Sequence, residues 1–203
     1  MKKIFALFLC LALLLSCTAF AESLPEEQKE SIGVIGVENA FDIKCRMPEG
    51  YKVNILSSND TSIYAEVICE DETKPMLNVG IAYNDTYFQD GKALRLNDLS
   101  EDEKALIRDS LVDMLSEYEI GEQETAYGTE LLVVKGKILD TTVVEFFSVY
   151  NAYEVTVIVM PGKADEDGRL TDEHQAVKSA ASVPSGSTLT IQTAVGNLTA
   201  ETK

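Results

Sequence analysis

A single histidine, His174, carries all the imidazole chemistry open to this 203-residue chain. A Ser-His-Asp triad would have to be built on it, and no serine lies in a Gly-x-Ser-x-Gly turn that would present a nucleophile. A zinc site draws on about four N, S or O ligands, and no Cys or His spacing here supplies them. His174 follows Asp172 and Glu173 at the start of a predicted helix, where exposure to solvent is expected. No glycine-rich phosphate loop of either common type occurs. The nearest approach to a cation site is the acidic turn from Asp165 to Glu173. Calcium takes six to eight oxygens, but placing Gly168 at the sixth loop position puts Lys163 at the first, so the EF-hand register fails. A solvated acidic turn is the simpler reading. Residues 83–91 bring Tyr83, Tyr87 and Phe88 near Asp85 and Asp90, a composition suited to a sugar or a cationic peptide, or to covering the end of a sheet. No catalytic, cofactor-binding or metal-ligating residue is assigned, and no cofactor is expected.

The cysteines say more about compartment than about catalysis. Cys45 and Cys69 are the two that follow the N-terminal leader, and an even pair in an oxidising compartment predicts one disulfide. Period-two alternation puts each sulfur on the apolar face of its strand, Cys45 with Phe41, Ile43 and Met47, and Cys69 with Ile63, Ala65 and Val67. The bond requires those strands to be direct neighbours, since strands two spacings apart lie about 9.6 Å from one another. Two buried thiols are the alternative.

The leader itself is well signalled. Lys2 and Lys3 precede an unbroken apolar run, Ile4 to Leu15, and Ala19-Phe20-Ala21 has the small-x-small spacing of a signal-peptidase site, so residues 1–21 read as a signal peptide. That run reaches about 18 Å as a helix, short of a bilayer core of about 30 Å, so a permanent membrane span is not expected. A rival reading takes Leu14-Leu15-Ser16-Cys17 as a lipobox, with a lipid anchor on Cys17. Either way the protein is expected outside the cytoplasm, secreted or at the cell envelope, and the leader looks bacterial. The whole chain has 17 basic and 34 acidic side chains; loss of two leader lysines leaves 15 against 34, a formal charge of −19. Such a surface repels nucleic acid and anionic lipid, because phosphate contacts need cations.

The elements that would position these residues are mixed. Residues 22–37 are polar at first and read as a flexible lead-in, followed by a single domain over 38–183. Strands are predicted at Phe41–Met47, Lys52–Leu56, Ile63–Cys69, Met76–Tyr83, Glu124–Tyr127, Leu131–Lys137, Thr142–Tyr150 and Tyr153–Met160. The last two are joined by Asn151-Ala152 as a tight hairpin and carry apolar residues on both faces, which predicts cover on each side of the sheet. Ser100 and Glu103 form a capping box for a helix of about five turns, its stripe being Ile107, Leu111, Met114, Leu115 and Tyr118, ending at Gly121. A second helix is predicted at Asp172–Ala181, and residues 184–203 read as a polar tail.

The strand Phe41–Met47 leading into Pro48-Glu49-Gly50-Tyr51, the Asp98-Leu99-Ser100 helix entry and the closing helix ending at Ser182 together resemble the PsbP/Mog1-like fold family. Tyr51 stands where that family usually has Trp, and no aromatic follows Ser182. The resemblance spans roughly residues 38–183 and implies an α+β fold: a largely antiparallel sheet of about six to eight strands, with a long helix and a C-terminal helix packed on it as an α/β/α sandwich. It also implies a non-catalytic accessory or binding role, with a protein, peptide or saccharide as partner. The alternative from another class is a small secreted hydrolase using carboxylates.

Overall fold

The computed structural model describes residues 30–37, 40–125, 128–163, 189–193 and 195–202. The signal peptide expected at residues 1–21 with Cys17, the helix predicted at Asp172–Ala181 with His174, and the acidic stretch from Asp165 to Glu173 lie outside the described residues.

Thirteen strands and one α-helix make up the regular structure of the described residues, so the fold is mostly β and not the expected α+β sandwich with two packed helices. A seven-stranded antiparallel sheet is built from β3 (Tyr51–Ser58), β4 (Ser62–Cys69), β5 (Met76–Tyr83), β8 (Ser116–Thr125), β9 (Gly128–Ile138), β10 (Thr141–Tyr150) and β11 (Tyr153–Met160), in the spatial order β3-β4-β5-β11-β10-β9-β8. A four-stranded sheet, in the order β1-β2-β13-β12, combines β1 (Glu30–Gly36) and β2 (Phe41–Pro48) with β12 (Thr190–Gln192) and β13 (Asn197–Thr202). A two-stranded ribbon of β6 (Phe88–Gln89) and β7 (Lys92–Ala93) completes the set.

The two larger sheets share one apolar core. Ile35, Phe41, Ile43 and Leu198 of the small sheet meet Val67, Leu77, Val157 and Phe146 of the large one, all almost fully buried. Period-two alternation produces this directly: the odd positions of β4, β5 and β11 face the small sheet and the even positions face away. The chain changes sheets at Pro48-Glu49-Gly50, where Gly50 takes a φ of +91°, conformational space that favours glycine. Segments read as lead-in and tail thus supply strands of the fold. Residues 30–36 pair along β2, and Leu189, Ile191, Val195, Leu198 and Ala200 are buried in the shared core.

The other face of the large sheet is covered over half its width. Here α1 (Glu101–Val112) and the turns around Leu96 and Leu99 lie on Leu132, Phe147 and Val149 of β9 and β10, with Ile107 and Leu111 packed against them. The capping box forms as expected: Glu103 N–H donates to Ser100 Oγ at 3.3 Å, and Ser100 N–H donates to Glu103 Oε2 at 2.8 Å. The helix is three turns and not five. Residues 116–125 instead form β8, with Glu117 at φ +49° and a register shift between Ser116 and Glu119. Tyr118 fits the helical stripe, but Tyr118 and Ile120 together also fit a period of two, and pairing with β9 decides for the strand.

Cys45 and Cys69 are both free thiols, so the predicted disulfide is not formed. The requirement of neighbouring strands is not met: β2 pairs with β1 and β13 in the small sheet, and β4 pairs with β3 and β5 in the large one. Burial pushes the Cys45 thiol up to about 12, which keeps it protonated and inert.

Candidate functional site

The uncovered half of the large sheet is a groove of about 430 Å³ on the outward face of β4, β5 and β11. Its floor comes from small side chains in mid-strand, Gly80 and Ala82 of β5 and Thr156 of β11. Larger groups stand around them: Leu56 and Tyr64 on one side, Ile158 on the other. Gly80 has Tyr64 and Thr156 as its cross-strand partners. A Cβ at position 80 would lie 3.5 Å from the Tyr64 ring, so the ring leans over the glycine and shields its backbone.

Two carboxylates flank this floor. Glu66 of β4 is opposite Asn78, and Glu154 of β11 is opposite Ala82, so Gly80 sits midway along the diagonal that joins them. Four residues along the strand and two strands across place their Cα atoms roughly 16 Å apart. Glu154 is held in place by neutral groups. Asn84 Nδ2 donates to its Oε1 at 2.9 Å, and the Tyr87 hydroxyl bonds to the same carboxylate. Burial, followed by the Glu154 charge, pushes the Tyr87 hydroxyl up to about 12. Among the described residues no lysine or arginine lines the groove, and neither Glu66 nor Glu154 has an ion-pair partner.

At the boundary between the open and covered halves stands Glu145 of β10. Its cross-strand partners are Val134 and Ile158, and Val143 and Phe147 flank it on the same face. Burial among these apolar groups pushes its carboxyl up to about 7. A second buried acid, Glu130, faces Arg95 at 3.9 Å, and the Arg95 guanidinium lies 4.8 Å from the centre of the Tyr150 ring. Burial raises the Glu130 carboxyl and the Arg95 charge opposes that rise.

The aromatic, acidic loop at 83–91 does not form one surface. The Tyr83 ring packs edge-on against Tyr153 at 5.4 Å, and Tyr87 is buried beside the helix-covered core. Phe88 is exposed, and Asp85 opens a short 3-10 turn capped by Asn84. What that loop contributes to the groove is the two bonds that hold Glu154, from Asn84 Nδ2 and from the Tyr87 hydroxyl. Reasoning from sequence did not pick out Glu66, Glu154 or Glu145, because each becomes distinctive only through residues on neighbouring strands. Gly80 between the β-branched Val79 and Ile81, inside a predicted strand, was the one available signal.

Among the described residues no three or more His, Cys, Asp or Glu side chains are grouped to hold a metal ion, and no helix is long and apolar enough to cross a membrane. No protein-family model and no curated protein matches the chain.

Proposed function

We propose that this chain is a non-catalytic binding or accessory protein working outside the cytoplasm, with its ligand seated on the open half of the seven-stranded sheet. The observation that carries the reading is the mid-strand floor of Gly80, Ala82 and Thr156. Small residues there leave a broad concavity of a size suited to ligand contact on a rigid sheet, not on a loop. The leader at residues 1–21 and the acidic composition support the extracytoplasmic setting.

The hydrolase alternative needs two carboxyl groups about 5–9.5 Å apart around a reacting bond. The Cα atoms of Glu66 and Glu154 are separated by roughly 16 Å on strand spacing, and side chains that stand roughly perpendicular to a sheet keep the two carboxyl groups near that separation. Glu145 has the raised carboxyl an acid catalyst would use, but its cross-strand neighbours Val134 and Ile158 are apolar. The binding reading is therefore preferred.

The test is to fill the groove. Ala82→Arg puts a long side chain across the floor at a partly exposed position. Native envelope extract is passed over immobilised wild type and variant, with matched melting temperatures as the check on folding. Loss of the retained partner from the variant alone supports the reading. An identical bound fraction on both proteins overturns it.

A further inference from the structure

Resting on the groove as the binding face, we infer that its occupant is an extended cationic peptide segment, carrying basic side chains four residues apart that reach Glu66 and Glu154 across Gly80.

Covering the groove with a neutral ligand would strip water from two carboxylates that have no cation of their own among the described residues. Removing a charge from water without a partner is costly, so the ligand that fits must bring the positive charge with it. The chain as a whole carries a formal charge of −17, which draws a basic segment in from a distance. The geometry selects the spacing. In an extended chain, residues i and i+4 lie on one face about 13–14 Å apart, and lysine side chains easily close the remainder of the roughly 16 Å between the two acids.

The groove's middle selects a peptide over a bare polyamine or a sugar. Ala82 and Thr156 leave room beside the covered Gly80 for a ligand backbone, while Tyr64, Leu56 and Ile158 offer apolar contact to the side chains between the two charges. A saccharide platform would want open aromatic faces, and the one aromatic ring lining this groove leans over Gly80. Asn84 and Tyr87 keep the Glu154 carboxylate fixed without neutralising it, as a recognition charge requires.

The experiment is a fluorescence-anisotropy titration of the full chain with labelled nine-residue peptides. One peptide has lysines at positions 3 and 7 in a Val/Thr background, one has them at 3 and 4, and one has glutamates at 3 and 7. The expected result is saturable binding of the first, weaker binding of the second and none of the third. Glu66→Gln and Glu154→Gln should each weaken the first by about two- to fivefold, and raising the salt should weaken it further. Equal binding of all three peptides, indifference to both substitutions, or spermine binding as tightly as the first peptide would each overturn the inference. So would self-association of the free chain abolished by Ala82→Arg, or nuclear Overhauser contacts from residues 164–188 to the Tyr64 ring in the free protein. If the peptides fail while Ala82→Arg still releases the native partner, the inference about chemistry falls and the binding face stands. If both fail, the face falls as well.

Discussion

Gly33 of β1 rests directly on Val53 of β3, and Met47 closes a third side of the contact, so the two sheets meet there with no room for a Cβ. The strands cross at the corner where the chain passes from the small sheet to the large one. Gly33→Ala should therefore destabilise the protein by about 1–3 kcal/mol, as overpacking commonly does. Trimming the opposing methyl groups with Val53→Ala should recover part of that loss in the double variant. Urea unfolding of the four-member cycle measures the coupling; additive effects would show that the crossing is not tight.

Glu145 makes stability depend on pH in an unusual direction for a carboxylate. Its carboxyl is raised to about 7 in the folded protein, against an ordinary value near 4.5, so the folded state holds a proton that the unfolded chain gives up. Its contribution is fully present below about pH 4.5 and is lost as pH rises to about 7. Glu145→Gln should flatten that decline and raise stability at pH 7.5 by an amount on the order of 2–3 kcal/mol. Denaturant midpoints at pH 4.5 and 7.5 test this, and parallel pH profiles for the two proteins would refute it.

The two thiols should behave differently in the folded state. Cys69 is partly exposed and should react with a maleimide before unfolding, whereas Cys45, fully buried, should react only after it. Reducing agent should leave the melting temperature unchanged. A drop of several degrees on reduction would point to a covalent bond that the strand arrangement does not provide.

Glu130 is buried against a half-buried Arg95, and the loss of this contact should be asymmetric. Glu130→Ala removes the partner of a guanidinium that is mostly shielded from water, with an expected cost of about 3 kcal/mol. Glu130→Gln keeps the shape and a hydrogen-bonding group and should cost less. Equal losses for the two variants, read from thermal melts, would mean that packing and not charge holds this corner together.

The sequence and the structure agree best where the pattern is local. Met76–Tyr83 and Tyr153–Met160 have the strand boundaries their alternation predicts. The hairpin at Asn151-Ala152 takes φ values of +53° and +63°, the primed-turn geometry expected of a two-residue connection. The capping box of Ser100 and Glu103 also formed as read. Agreement ends where distant pairing decides. Tyr118 serves either period, and the ladder with β9 selects the strand. Ile191, Leu198 and Ala200 are too sparse among Ser, Thr and Gly to signal a core strand, yet they fill it because β2 pairs with β13 and β13 in turn pairs with β12. The groove was hidden for the same reason: Tyr64, Gly80 and Thr156 form one row only after three strands align. Leu198→Ala should cost about 2–5 kcal/mol if this reading of β13 is right, and a neutral result in urea unfolding would return residues 197–202 to the surface.

The placement of β13 between β2 and β12 also sets the order in which the molecule can be assembled. The seven-stranded sheet is composed of residues 51–160 and can pair as soon as that stretch of chain is available. The smaller sheet joins residues near 45 to residues near 198, a closure that spans most of the polypeptide. β2 keeps one bare edge until Asn197–Thr202 is available to pair with it. Contacts of such long sequence separation slow folding and leave edges open to wrong partners meanwhile. Until that closure is made, the free edge of β2 is open to any strand that can reach it.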